Sequence, residues 1–143
     1  MSDNQAVLAA NQAFYRAFEQ KNLEALSAIW LKGDNSVCIH PGRPPLKGWE
    51  RISTSWDEIF KNTDSIQLTT ETIAAGVSGN IAYVVLLEKL SQVIQGRSVD
   101  VQSIATNVFA RTPEAWRLVH RHGSPILPMM PPNQQPPGMS RRN

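Results

Sequence analysis

All three histidines and one of the glutamates are candidates for acid/base chemistry because of where they lie in the sequence. His40 ends the short β-branched run SVCIHP, and His120 and His122 lie two residues apart in WRLVHRHGS. Glu88 interrupts the otherwise apolar run IAYVVLLEKL. Because an imidazole titrates at a pH of about 6.5, a histidine in a pocket can serve as a general base or acid near neutral pH. The residue types therefore favour acid/base chemistry without naming a substrate.

Each of these residues also has a structural interpretation. A histidine before a proline can simply end a strand and bond to a backbone group, and buried histidines are usually hydrogen-bonded to protein. The register of the strand against Gly96 points Glu88 to the same side as His120. Burial there would raise the pKa of Glu88 and make it an acid partner for His40. A register shifted by one residue would instead turn Lys89 inward, and the sequence leaves both alternatives open.

The alternation of a β-strand divides WRLVHRHGS into two faces. Arg117, Val119 and Arg121 share one face, which is expected to be solvated or to form an interface. The other face carries the two histidines with two apolar residues: Trp116, Leu118, His120 and His122.

The elements that must position these groups begin with helices. Residues 3–20 place apolar side chains at a period of 3.6, with Ser2 or Asp3 available as N-cap. The segment KNLEALSAIW repeats that pattern behind a second N-cap, Asn22. A third helix is predicted over WERISTSWDEIFKN, where apolar residues recur at spacings of three and four.

From Asp64 onward the hydrophobic period changes to two, which predicts strands. The turns SGN, IQGR and TPEA separate four long strands that run antiparallel. SVCIHP is an earlier strand, and PGRPPLKG after it is expected to be a loop because of its proline and glycine content. The predicted order is ααβαββββ, an α+β fold in which helices cover one face of the sheet.

Composition sets the class of protein. The chain has 143 residues and a net charge of +2, with no long run of like charge, so no nucleic-acid partner is expected. No apolar stretch approaches the roughly 20 residues of a membrane span, and no membrane partner is expected. A single cysteine, Cys38, and a start without signal-peptide character favour the cytoplasm.

The chain divides into one domain and a tail. Residues 1–124 carry all of the periodic segments and form the predicted domain. Six of the ten prolines fall in residues 125–143, which predicts an extended or disordered tail.

The order of elements and several stretches resemble the NTF2-like superfamily, and within it the SnoaL-like group related to ketosteroid isomerases and to the association domain of calcium/calmodulin-dependent kinase II. The stretches are FYRAFEQKNLEALSAIW, HPG, IQGR and WRLVHRHGSPILP, and the resemblance covers residues 6–128. It implies a cone in which a curved antiparallel sheet wraps a long N-terminal helix and leaves a pocket at the open end. It also implies a homodimer formed by the outer face of the sheet.

At the catalytic positions of the ketosteroid isomerases this chain differs. The resemblance places Phe14 at the oxyanion-donating tyrosine, His40 at the aspartate base and Ala105 at the protonated aspartate. Without a pair of donors at the oxyanion, steroid isomerase activity is not expected. The resemblance instead makes His40 the centre of any acid/base catalysis, with Glu88 and His120 as further catalytic candidates. It also places His120 inside the pocket and His122 near its rim.

The same resemblance gives a set of pocket residues that are mostly aromatic or apolar, and that could equally be core. They are Phe14, Tyr15, Trp30, Trp56, Asn107, Leu118 and His122. Three histidines with this spacing are a weak ligand set, so no metal and no cofactor are expected. We predict a domain that binds a small, mostly apolar molecule, with or without catalysis of the isomerase, cyclase or dehydratase type. The alternatives are an assembly module like the kinase association domain and an adaptor that uses the proline-rich tail.

Overall fold

A computed structural model describes residues 2–127 of the chain. In these residues three helices accompany six strands. The helices are α1 (Asp3–Glu19), α2 (Leu23–Ile29) and α3 (Trp49–Asn62). The strands are β1 (Val37–Ile39), β2 (Leu46–Lys47), β3 (Ser65–Ser78), β4 (Ile81–Ile94), β5 (Arg97–Arg111) and β6 (Trp116–Pro125).

Local sequence explains where the first two helices begin. Ser2 caps α1 through a capping box in which its hydroxyl accepts from the backbone of Gln5 and the Gln5 side chain accepts from the backbone of Ser2. Asn22 caps α2 by accepting a hydrogen bond from the backbone of Ala25. Gly48 precedes α3 at a φ of 94°, which glycine adopts more readily than other residues. The predicted helices are confirmed.

The six strands form one mixed sheet in the order β2-β1-β6-β5-β4-β3. The long strands β3 to β6 pair antiparallel, as predicted, whereas β1 pairs parallel with β6. The short strand β2, inside the segment predicted to be a loop, pairs with β1 through Leu46 and Lys47. The element order is therefore ααββαββββ, and the sheet is curved and open, in an α+β fold of the NTF2-like kind.

A β-bulge in β6 determines which of its side chains face the helices. Leu118 pairs with Phe109 and His120 pairs with Val108, so Val119 is an extra residue without a partner on β5. An extra residue reverses the alternation beyond it. Arg121, which pairs with Asn107, is buried on the inner face. The predicted solvated or interfacial position of Arg121 is therefore wrong.

The core lies between the inner face of the sheet and the helices α1 and α3. Aromatic rings dominate it, with Phe14, Trp30, Trp56 and Phe109 almost completely buried. None of the helices in the described part of the chain combines the length and apolar character needed to cross a membrane. Strand β6 ends at Pro125, and residues 128–143, most of the predicted tail, lie outside the described residues.

Candidate functional site

A buried ion pair lies on the inner face of the sheet. Arg121 on β6 donates from Nη1 to Glu88 Oε2 at 2.6 Å and from Nη2 to Glu88 Oε1 at 3.2 Å. Both residues are at most 3% exposed. A bidentate arrangement of this kind satisfies both carboxylate oxygens and fixes the guanidinium plane.

Hydroxyl and amide groups complete this polar cluster. Tyr15 on α1 donates to Glu88 Oε2 at 2.5 Å, and Ser103 on β5 donates to Glu88 Oε1 at 2.7 Å. Asn107 donates to the Tyr15 hydroxyl oxygen at 3.0 Å and to Asn11 Oδ1 at 2.9 Å. The cluster joins α1 to three strands of the sheet. The Tyr15 hydroxyl and the Asn107 amide both donate their hydrogen bonds to other protein groups.

The charge of Arg121 decides the protonation of Glu88. Burial alone would raise the pKa of Glu88, but the guanidinium and the hydrogen bonds hold that pKa below its ordinary value. Burial raises the pKa of the Tyr15 hydroxyl, which stays protonated. Glu88 does face inward, in the register argued from Gly96. It is a paired carboxylate, however, so the expected role of a protonated acid partner to His40 does not fit the structure.

His40 lies at the end of β1 beside α3. Its Nε2 is 2.8 Å from Ser55 Oγ, and its ring packs edge-on against Trp56 with centroids 4.9 Å apart. Burial, followed by the positive charges of Arg121 and Arg43, lowers the pKa of His40 to about 4. The imidazole is therefore neutral at pH 7 and can accept a proton. Cys38, two residues earlier, is buried, and burial raises the pKa of its thiol to about 11.

An open cavity of about 1180 Å³ lies between α3, the turn after β1 and the inner face of β4 and β5. His40, Glu88 and Trp56 are the sequence-derived site residues that line it. Arg121 and Ser55 line it as well, although the sequence did not indicate them. The main apolar lining residues are Phe18, Leu46, Trp56, Ile59, Leu68 and Leu90.

The expected positions of His120 inside the pocket and of His122 near its rim are wrong. The bulge at Val119 turns both rings to the outer face of the sheet, where they pair with Val108 and Thr106. His120 is half-buried, His122 is exposed, and neither lines the cavity. His120 is therefore not positioned to act with His40.

Most of the expected pocket residues belong to the core instead. Tightly packed rings of α1 and its neighbours leave no space beside them: Phe14 lies 4.9 Å from Tyr15 and 5.8 Å from Trp56 between ring centroids. Asn107 is fully buried, and its side chain donates a hydrogen bond to Asn11 of α1. The residues that do not line the cavity are Phe14, Tyr15, Trp30, Asn107 and Leu118.

The pKa of His40 gives a testable pH dependence. Its folded-state value of about 4 lies below the ordinary 6.5, so His40 stabilises the fold above pH 6.5 and that contribution is lost as the pH falls toward 4. We expect the free energy of unfolding to fall by about 2–3 kcal/mol between pH 7 and about 4.5. Urea unfolding at each pH measures it.

His40→Gln is the matched variant for this experiment, because it keeps a side chain that can bond to Ser55 without titrating. It should remove most of the decrease above pH 4.5. Glu88 also has a depressed pKa, but its contribution is lost only below its unfolded value near 4.5. Burial also lowers the pKa of His120, so His120 accounts for the smaller part of the decrease that remains in the variant. An unchanged pH dependence in the variant would show that His40 is not the buried neutral group.

Among residues 2–127, no three histidine, cysteine, aspartate or glutamate side chains come together to hold a metal ion.

The curved sheet around a long helix, with a cavity at one end, defines an NTF2-like protein. A solved structure of an NTF2-like family protein from Streptomyces avermitilis, provisionally named a dehydratase, is 34% identical to this chain with a TM-score of 0.83. The match covers 88% of this chain and 98% of that one. A Thiobacillus denitrificans protein, provisionally named a calcium/calmodulin-dependent protein kinase type II association domain, is 29% identical with a TM-score of 0.74 and coverages of 83% and 94%.

Residues 7–129 match the family model of the SnoaL-like domain, and the chain belongs to this family. The F-box protein SKIP8 of Arabidopsis thaliana is 25% identical to it over 122 residues. That alignment covers 85% of this chain and 50% of the plant protein, so the chain spans half the length of this relative.

Proposed function

We propose that this SnoaL-like protein binds a small, mostly apolar molecule in the cavity beside His40 and that His40 acts on it as a general base. The observation that carries the proposal is a neutral imidazole at the wall of an open cavity of about 1180 Å³. Two exposed carboxylates of α3, Glu50 and Glu58, also line the cavity, and His40 is the half-buried imidazole in its wall. Glu88, the buried carboxylate there, already accepts bonds from Arg121, Tyr15 and Ser103.

The cavity lining indicates the kind of ligand. Its apolar residues come from α1, α3 and β2 to β5, while Thr54, Gln92 and Gln102 add hydrogen-bonding groups. Exposed charged side chains complete the lining: Arg43, Glu50, Arg51 and Glu58. Ligand sites typically combine such apolar walls with a few polar groups, in volumes of about 300–1,000 Å³. The lining suits an organic molecule with an apolar body and one or two polar substituents.

A base without the isomerases' own pair of oxyanion donors favours elimination or a related proton transfer over steroid isomerisation. Tyr15 and Asn107 are the buried donors near the positions that matter in the isomerases, and both are engaged inside the protein. His40 can remove a proton from the ligand and return it to the departing hydroxyl group, which leaves as water. This is a reaction of the dehydratase type. The provisional name of the Streptomyces avermitilis relative agrees with this class.

The outer face of the sheet supports the proposal of a homodimer. It carries Ile81 and Tyr83, which are 49% and 46% exposed, and their neighbours there are largely apolar. A second copy that covers this face would bury that surface.

The second candidate function is an assembly module, which the similarity to the Thiobacillus denitrificans kinase association domain favours. In that case the cavity is incidental and the sheet face carries the function. The molar mass in solution separates the two: a dimer fits the ligand-binding proposal, whereas a large closed ring fits assembly.

The test of ligand binding is a screen of small cyclic and linear hydroxy-carbonyl compounds by calorimetry with the full chain. We expect at least one class to bind and His40→Ala to weaken its binding by about 10- to 100-fold, because the hydrogen bond to the imidazole is lost. His122→Ala, on the outer face, is the matched control and should bind like the wild type. Failure of every compound, or equal binding by His40→Ala, would contradict the proposal.

A further inference from the structure

Ser55 is brought to the cavity by the periodicity of α3. Ile52 and Trp56 are fully buried, and Ser55 lies between them and Ile59 on the side of the helix that faces β1. Ser55 is half-buried and lines the cavity. Within residues 2–127 the side chain of Ser55 forms a hydrogen bond with His40, and Oγ lies 2.8 Å from Nε2.

A hydroxyl bonded to a neutral imidazole at the wall of an open cavity is the arrangement in which a serine becomes a nucleophile. We propose that Ser55 attacks the carbonyl carbon of small acyl esters with an apolar acyl group, with His40 as its base. This inference rests on the proposed function, because it uses the same cavity and the same neutral His40. It adds a covalent step and a substrate class that general-base chemistry on the ligand does not require.

The step balances without any further reagent. Ser55 Oγ bonds to the acyl carbon, its proton passes to His40 Nε2, and the bond from that carbon to the alcohol oxygen breaks. The departing alkoxide takes the proton from His40 and leaves as the alcohol. Water then attacks the acyl-serine with the help of His40, which yields the carboxylic acid and the free serine.

The groups around Ser55 and His40 determine how fast the two residues can form and hydrolyse an acyl-enzyme. Arg43 lines the same cavity, and its positive charge is one of the causes that lower the pKa of His40. Within the described residues Arg43 forms no ion pair, so its guanidinium is available to a developing oxyanion. No carboxylate bonds to His40 in the same part of the chain. His40 serves both steps, so the missing carboxylate slows acylation and deacylation alike. With an activated ester, whose alcohol leaves more readily than Ser55 does, acylation is the faster step and the acyl-enzyme should accumulate.

The experiment uses the full chain and p-nitrophenyl butyrate, with nitrophenolate release followed by absorbance and the adduct followed by intact mass and peptide mapping. We expect a burst close to one equivalent and a butyryl group on Ser55. Ser55→Ala should abolish the adduct, and His40→Gln should slow its formation by about 100-fold or more. Ser53→Ala, a half-buried serine of α3 that does not line the cavity, should react like the wild type.

Two further measurements keep the result interpretable. Ser55→Cys should retain acylation, and thermal unfolding of each variant confirms that it is folded. The burst rate should be level above a pH of about 6, because His40 with a pKa of about 4 is already neutral there. A rate that rises up to pH 10 would indicate a lysine or tyrosine and would overturn the inference.

Absence of a Ser55 adduct in the folded wild type, or an equal adduct in Ser55→Ala, would also overturn it. These outcomes leave ligand binding by calorimetry unaffected, so the failure of Ser55 as nucleophile is distinguishable from failure of the proposed function. A Ser55 adduct in a protein that binds no hydroxy-carbonyl compound would support the nucleophile and contradict that proposed chemistry.

Discussion

Arg121→Ala is expected to lower the free energy of unfolding by about 3–5 kcal/mol, because it leaves the buried carboxylate of Glu88 without its positive partner. The side chain that it removes is 2% exposed and also lies over the ring of Phe14 at 5.5 Å. Urea unfolding monitored by circular dichroism measures the change.

Arg117→Ala is the matched control for Arg121, since Arg117 is on the same strand but on its outer face. It should change the free energy of unfolding by no more than about 0.5 kcal/mol. Replacing both partners, with Arg121→Met and Glu88→Leu together, should recover much of the loss because no unpaired charge remains. A loss below about 1 kcal/mol in Arg121→Ala would contradict the buried ion pair.

Trp56→Ala is expected to cost about 3–5 kcal/mol and to abolish ligand binding. Trp56 is fully buried and packs against Phe18 at 4.8 Å and against Phe60 at 5.7 Å between ring centroids. It also supports the ring of His40, so its removal disturbs the cavity wall as well as the core.

The comparison for Trp56 is Trp49, the half-buried tryptophan at the start of α3. Trp49→Ala should destabilise the protein clearly less than Trp56→Ala and should leave ligand binding in place. Trp56→Phe keeps an aromatic ring and should retain part of the stability. Equal decreases in the free energy of unfolding and in ligand binding in the two alanine variants would contradict a central role for Trp56 in the core and the cavity wall.

The helices and long strands could be predicted because each depends on local periodicity and caps. The stripe of α3 and the turn at Gly96 determine those elements without help from distant residues. The short strand β2 could not be predicted, because it exists only through its pairing with β1. A strand of two residues is too short to show the alternating pattern by which a strand is predicted from sequence.

The candidate site was predicted only in part, and the bulge at Val119 is the main reason. Alternation placed His120 inside and Arg121 outside, and one unpaired residue reversed both. A glycine in the strand would have indicated a bulge, but the bulged residue here is a valine, which is typical of a regular strand. Ser55 could have been predicted, because it follows the buried Ile52 by three residues and so lies on the same face of α3.

The prediction of the pocket residues was wrong for a different physical reason. An aromatic stripe on α1 has the same pattern whether it lines a cavity or fills a core, and only the packing of α3 and the sheet against it decides the outcome. Here Phe14 and Trp30 are sealed in the core, while the cavity opens farther along, beside Leu68 and Leu90.

The decisive experiment for ligand binding beside His40 is a crystal structure of the full chain with a compound selected in the binding screen. We expect an ordered molecule inside the cavity, with its apolar part against Trp56 and a polar atom within hydrogen-bond distance of His40 Nε2. A molecule bound elsewhere, or a cavity closed by the packing of α3 against β4 with His40 bonded to protein alone, would contradict it.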